Sequence, residues 1–221
     1  KIEWLVPDVG GHAIYRLGIR LTCDYRLDGF VVVKTLDWSD APVEYRMGKS
    51  MEMTPSLTPW TTQTAWLKTF VSSADHFNPD YTVTFSVCNA VENGVVTTGT
   101  ADWKDYSVES IITFSQQDAA GLVARAKGHR RYYGAVFTEG YAVIYRQMNN
   151  ERKVIAKQPF AYEIDSTYKL RFEVDGVQLT LYVDDKKVVE GQDFDYSCGQ
   201  AGFVVDEGAI LGDGFIIKAL K

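Results

Sequence analysis

Apolar and polar residues alternate along most of this chain with a period of two, and helical spacing is almost absent. From residue 121 onward, runs of β-branched and aromatic residues cover 121–126, 132–138, 141–147, 153–159, 168–174, 177–183 and 187–190. Between them stand Glu139-Gly140, Asn149-Asn150, Asp175-Gly176 and Asp184-Asp185, pairs that tolerate the positive φ angles of tight hairpin turns. Two final strands are predicted over 201–206 and 214–220. This spacing predicts an all-β fold of two packed antiparallel sheets, with less than about a tenth of residues in helix.

Alternation also assigns faces. Tyr168, Leu170, Phe172 and Val174 share the buried side of one strand, continued by Leu179, Leu181 and Val183 on the next. Lys169, Arg171, Thr180 and Tyr182 point the other way, so one sheet presents a polar and aromatic outer surface. Arg125 aligns with Gly121 and Val123 inside its strand, which gives it a fixed face.

The first fifty residues differ. Two apolar strands are predicted over 13–22 and 29–36, and two strands do not close a sandwich alone. They either pair with the later sheet or end an upstream domain. Residues 47–59, with Gly48, Pro55 and Pro59, resemble a linker, and the expected division is 1–50 for the N-terminal segment and 51–221 for the sandwich. Lys1 opens directly on a strand-like pattern, which suggests a processed product or a fragment of a longer protein.

Composition narrows the function classes. The 221 residues are 46% hydrophobic and 24% charged, the balance of an ordinary globular protein. A formal net charge of −6 disfavours nucleic acid as a partner, and no apolar run is long enough for a spanning helix, so no membrane insertion is expected. Cys23, Cys88 and Cys198 have spacings that fit neither a metal site nor a disulfide framework, and buried free thiols are expected. The compartment is open, with secreted or periplasmic placement favoured over cytoplasmic.

Catalytic and cofactor signatures are missing: no His-Glu-x-x-His helix, no Cys-x-x-Cys pair, no dinucleotide glycine fingerprint and no Gly-x-Ser-x-Gly elbow. Gly48-Lys49-Ser50 imitates the end of a phosphate loop, but Val43 stands where its first glycine belongs. Glu163 and Asp165 have the alternating spacing of a glycosidase carboxylate pair, yet they fall in a polar connection and read as a solvated turn. Trp66, Trp103 and Tyr106 are assigned to the core, and His76 and His129 to surface or capping positions. Arg125, Lys127, Arg130 and Arg131 concentrate positive charge on one hairpin, either a solvated loop tip or a site for an anion or sugar acid.

Trp103-Lys-Asp-Tyr106-Ser-Val, Gly121-Leu-Val-Ala-Arg125 and Arg131-Tyr132-Tyr133 resemble the strand pattern of concanavalin A-like lectin and glucanase sandwiches over residues 60–221. Trp4-Leu-Val-Pro7-Asp8-Val-Gly10-Gly11, Gly18-Ile-Arg-Leu and Thr35-Leu-Asp37-Trp38 are further similar to the region that follows the catalytic domain in bacterial ADP-ribosylglycohydrolase-family proteins. Nothing here resembles that family's helical, magnesium-binding catalytic domain, so ADP-ribosyl hydrolysis does not carry over. The resemblance implies a jelly-roll accessory sandwich whose partners are a glycan or small sugar and a catalytic domain of the same parent protein. No cofactor is required. The lectin likeness allows a structural calcium near the last strand, for which Asp213 in Gly212-Asp213-Gly214 is best placed, although a lone Asp between glycines is more often a plain turn former.

The expected function is a non-catalytic carbohydrate-binding module. Its expected ligand-binding residues are Arg125, Tyr133, Tyr145, Arg171 and Tyr182, with Tyr rings for stacking and Arg for hydroxyls or carboxylates. The alternatives are a structural interdomain sandwich without a ligand and a glycoside hydrolase whose carboxylates converge from separate strands.

Overall fold

The computed structural model of the chain describes residues 67, 69–80 and 83–220, together with the backbone of 44–47. Among these residues there is no α-helix, and thirteen strands follow in order: β1 (Glu44–Met47), β2 (Val71–Ser72), β3 (His76–Pro79), β4 (Phe85–Asn89), β5 (Gly94–Thr98), β6 (Tyr106–Ala126), β7 (Arg131–Thr138), β8 (Tyr141–Met148), β9 (Glu151–Pro159), β10 (Thr167–Asp175), β11 (Gln178–Val183), β12 (Lys186–Gln192) and β13 (Gln200–Ala219).

All pairings are antiparallel, and two long strands organise them. Along their whole length β6 and β13 are bonded to each other, from Tyr106↔Ala219 at one end to Ala126↔Gln200 at the other. Residues 106–113 of β6 also pair with β10, which continues through β11 to β12. Residues 119–124 of β6 instead pair with β7, which continues through β8 to β9. On the far side of β13, its first part takes β5 and then β2, while its later part takes β4, β3 and β1. The β6–β13 ribbon therefore belongs to both layers, a β10-side sheet and a β8-side sheet, which close over one core as a jelly-roll sandwich.

Alternation fills that core. Leu170, Phe172 and Val174 from β10 and Leu179, Leu181 and Val183 from β11 meet Tyr133, Ala135 and Phe137 from β7 and Ala142 and Ile144 from β8. Phe85, Phe203 and Phe215 pack with ring centroids 4.8 and 5.0 Å apart, and Phe114 and Phe137 at 4.9 Å. Each buried ring of this kind stabilises the fold by about 1.5–3 kcal/mol.

The hairpins follow the turn residues. Glu139-Gly140, Asn149-Asn150 and Asp184-Asp185 form the two-residue loops expected of them, with Glu139 at φ 46°, Gly140 at 80°, Asp184 at 49° and Asp185 at 63°. The β10–β11 loop is displaced by one residue: Asp175 pairs with Gln178, and Gly176 at φ 56° opens the bend.

Several expectations are corrected. The predicted strands over 201–206 and 214–220 are one strand, β13, because bulges at 200–202, 208–210 and 213–216 absorb its glycines without ending the pairing. The 121–126 run is likewise the end of the 21-residue β6. Cys88 and Cys198 are free thiols but only half-buried, since each lies at a margin of the packing rather than inside it. Trp103 and Tyr106 are core residues. Glu163 and Asp165 are exposed in the loop joining β9 to β10. Cys23, Trp66, the strands expected over 13–22 and 29–36, and the boundary near residue 50 lie outside the described residues. Residues 44–47, part of the expected N-terminal segment, pair with residues 215–218 of β13.

Candidate functional site

Three connections meet at one end of the sandwich: residues 99–105 before β6, the Gly176-Val177 turn, and residues 193–199 between β12 and β13. Arg125 joins them. It is the extra residue of a bulge near the end of β6, where Val123 pairs with Gly202 and Ala126 with Gln200. Its φ of 50° takes it out of the alternation shared by Gly121 and Val123. The Tyr106 hydroxyl holds the bulge, accepting from Arg125 N–H at 2.7 Å, and is itself 3.0 Å from the carbonyls of Gly199 and Gln200. Burial pushes the Tyr106 hydroxyl pKa well above the ordinary tyrosine value, so it stays protonated as a donor.

The Arg125 guanidinium is 1% exposed and makes four hydrogen bonds to its own chain. Nε donates to Lys104 O at 2.9 Å, Nη1 to Gly176 O at 2.6 Å and to Tyr196 O at 3.1 Å, and Nη2 to Asp105 Oδ1 at 3.1 Å. Asp105 Oδ1 also accepts from Gly176 N–H at 2.7 Å. Arg125 thus fastens all three connections by charge-assisted bonds, which are roughly twice as strong as neutral ones.

Above Arg125 lies a cleft of about 310 Å³ with Lys104, Asp105, Val177, Phe194 and Ser197 along its walls. Phe194 is 83% exposed and Val177 45%, an apolar wall that neighbouring packing leaves open. Lys104 Nζ and Asp105 Oδ2 make no bond to other described residues. The loop bearing Phe194 is braced from below. Tyr133 donates its hydroxyl to Asp193 Oδ1 at 2.7 Å and accepts from Tyr196 N–H at 2.9 Å, while Arg146 pairs with Asp193 and Asp195. At its far end Cys198 receives Lys127 Nζ at 2.8 Å, and this contact holds the thiol pKa below its ordinary value.

The structure brings together two of the five expected ligand residues: Arg125 and Tyr133 both hold the cleft's loops, from buried positions. Tyr145 lies elsewhere. It is 1% exposed in a second apolar cluster on the opposite face of β7 and β8, beneath the Arg152 guanidinium at 4.3 Å, which is bonded in turn to Asp206, Asn93 and Gln147. Arg171 and Tyr182 are directly opposite each other on β10 and β11, part-exposed on the outer face of that sheet. The guanidinium stands 3.9 Å over the ring and is paired with Glu173. Asp213 lies within β13, exposed, and accepts the Thr84 hydroxyl. Among the described residues no three His, Cys, Asp or Glu side chains are grouped to hold a metal. Phe194 is the residue that sequence reasoning missed. Its signal was an aromatic isolated between two carboxylates in Asp193-Phe194-Asp195, outside any alternating run.

A larger depression of about 520 Å³ beside Gln116, Asp118 and Glu207 is open and has no aromatic wall. No described helix is long and apolar enough to cross a membrane.

No family model matches this chain, and no curated protein matches it by sequence. Solved structures do match in fold. The carbohydrate binding module CBM66 from Bacillus subtilis superimposes with a TM-score of 0.61 at 19% identity, covering 66% of this chain and 92% of that one. A GH43 protein, BlXynB from Bacillus licheniformis, gives 0.49 at 14% identity over 69% of this chain and 39% of that one. The galectin LEC-6 of Caenorhabditis elegans gives 0.44 at 13% over 65% and 94%. The first of these places the chain in a class of fold, the antiparallel β-sandwich, and at such identity the likeness extends to the fold alone.

Proposed function

We propose that this sandwich is a non-catalytic carbohydrate-binding module and that the cleft above Arg125 is its glycan site. The observation that carries the reading is Phe194, a large ring left open beside Lys104, Asp105 and Ser197 on loops fixed by a buried arginine. A sugar ring offers one apolar C–H face and a rim of hydroxyls, and this cleft offers an aromatic surface and polar groups of both signs. Preorganised loops reduce the ordering cost of binding. The fold shared with a carbohydrate binding module supports the reading by analogy.

Binding rather than hydrolysis is proposed because the described residues of the cleft wall contribute one carboxylate, Asp105, whereas glycoside hydrolysis by the usual route uses two, about 5–9.5 Å apart. A role as an accessory domain to a catalytic domain of the same parent protein fits such a module. No metal enters the proposal. The Asp213 carboxylate already accepts the Thr84 hydroxyl, and EDTA should leave the melting temperature unchanged.

The test is a glycan array followed by calorimetry on the best ligand, with a reducing-sugar release assay alongside. Phe194→Ala should weaken binding at least tenfold with the melt unchanged. Full binding by that variant would remove the cleft from the site, and released sugar would overturn the non-catalytic reading.

A further inference from the structure

The charge of the cleft narrows the class of sugar. Among the described residues its walls and floor carry two cations, Lys104 and Arg125, against one carboxylate, Asp105, on a chain whose formal net charge is −6. Asp193 and Asp195, on either side of Phe194, are both paired with Arg146. The three cleft charges are not equivalent. Arg125 and Asp105 face each other at 3.1 Å, with the guanidinium buried, so they largely cancel each other. Lys104 is exposed and its ammonium makes no hydrogen bond or ion pair with the described residues, although its charge is felt by the Cys198 thiol. Its backbone is not free to drift, because Lys104 O is held by Arg125 Nε at 2.9 Å. The fixed backbone keeps this unspent cation beside Phe194.

A second cation stands behind it. Lys127, in the β6–β7 turn, reaches the far end of the 193–199 loop, with Nζ 3.3 Å from Ala101 O and 2.8 Å from the Sγ of Cys198, which is next in sequence to Ser197 of the cleft wall. Neutral sugars need no such surplus, since hydroxyls are matched by paired donors and acceptors. A sugar carrying a carboxylate needs a cation that is not already neutralised, together with an apolar surface for the ring.

We infer that the cleft selects anionic glycans, specifically uronic-acid units, with the ring against Phe194, the carboxylate on Lys104 and a hydroxyl donating to Asp105. This rests on the reading of the cleft as a glycan site. Lys104 contributes a point charge rather than a planar fork, so its part in affinity should be sensitive to salt.

The experiment compares oligogalacturonate, its carboxyl-reduced counterpart and a sulfated neutral oligosaccharide by calorimetry on the full chain at 50 and 300 mM NaCl. The expected result is at least tenfold tighter binding of the uronate than of the reduced form, a difference that shrinks at the higher salt. Lys104→Gln should erase that preference with the melt intact. Equal binding of uronate and reduced forms, both lost in Phe194→Ala, would overturn the uronate inference and leave the glycan site standing. Preference for the sulfated sugar over the uronate would overturn the carboxylate assignment. Binding of none of the three, with a neutral glycan captured on the array through Phe194, would also reject the inference. No binding to any glycan would reject the underlying reading with it.

Discussion

Arg125 sits where a strand pattern would send a side chain to one face, and one backbone angle redirects it to the end of the sandwich. A non-glycine residue at φ 50° carries strain of about 1 kcal/mol, which its four side-chain hydrogen bonds outweigh. Replacing it with methionine keeps the bulk but removes those bonds and leaves Asp105 without its counter-charge. Arg125→Met should therefore cost about 3–5 kcal/mol in urea unfolding, and glycan affinity should fall with it. His129 gives a pH dependence. It is half-buried with Nε2 3.2 Å from the Thr97 hydroxyl, and burial lowers its pKa from the ordinary value of 6.5. The unfolded chain then binds a proton that the folded chain resists. Its contribution is complete above about pH 6.5 and is lost as pH falls from there through the folded-state value. The urea midpoint should drop between pH 7.5 and 5, and His129→Gln should flatten that part of the slope.

At the scale of elements, the hairpins were legible because their loops are two residues long and carry residues that accept positive φ. The faces of β10 and β11 were legible because both strands alternate cleanly. What stayed hidden was length. Residues 116–118 are polar and β13 carries glycines at 208, 212 and 214, yet bulges let β6 and β13 run on through both layers. The cleft was hidden for a related reason: Arg125 is satisfied mainly by backbone carbonyls of distant loops, and carbonyls leave no trace in residue types. Turn chemistry also predicts a gain. Asp185 stands at φ 63° in the β11–β12 loop, where glycine carries no penalty, and its ion pair with Lys169 is largely exposed and worth little. Asp185→Gly should raise stability by up to about 1 kcal/mol, seen as a rise of roughly 2–4 °C in calorimetry.

For the whole molecule, the two layers are not independent plates. Their outer strands approach each other where Gly191 of β12 lies so close to β9 that an added Cβ would stand 2.7 Å from Ile155, and their inner strands are shared. Domain opening is therefore no route for a ligand, and binding should leave the backbone in place within about 1 Å. A crystal structure with sugar bound, superimposed on the free protein, is the direct check.

The position of β13 in the chain has one more consequence, and it concerns synthesis. A ribosome makes β4, β5 and β6 long before the residues that must lie between them, so both layers stay unfinished until residues 200–219 have emerged. Through most of translation the nascent chain exposes the unpaired edges of β4, β5 and the full 21-residue β6, the kind of surface that invites association with other chains. Arrested chains ending at Gly199 should be protease-sensitive and bind trigger-type chaperones, whereas chains extended past Ala219 with the exit tunnel cleared should become resistant in one step. Gradual acquisition of resistance as β7 to β12 emerge would show that the β8-side layer forms without its last strand.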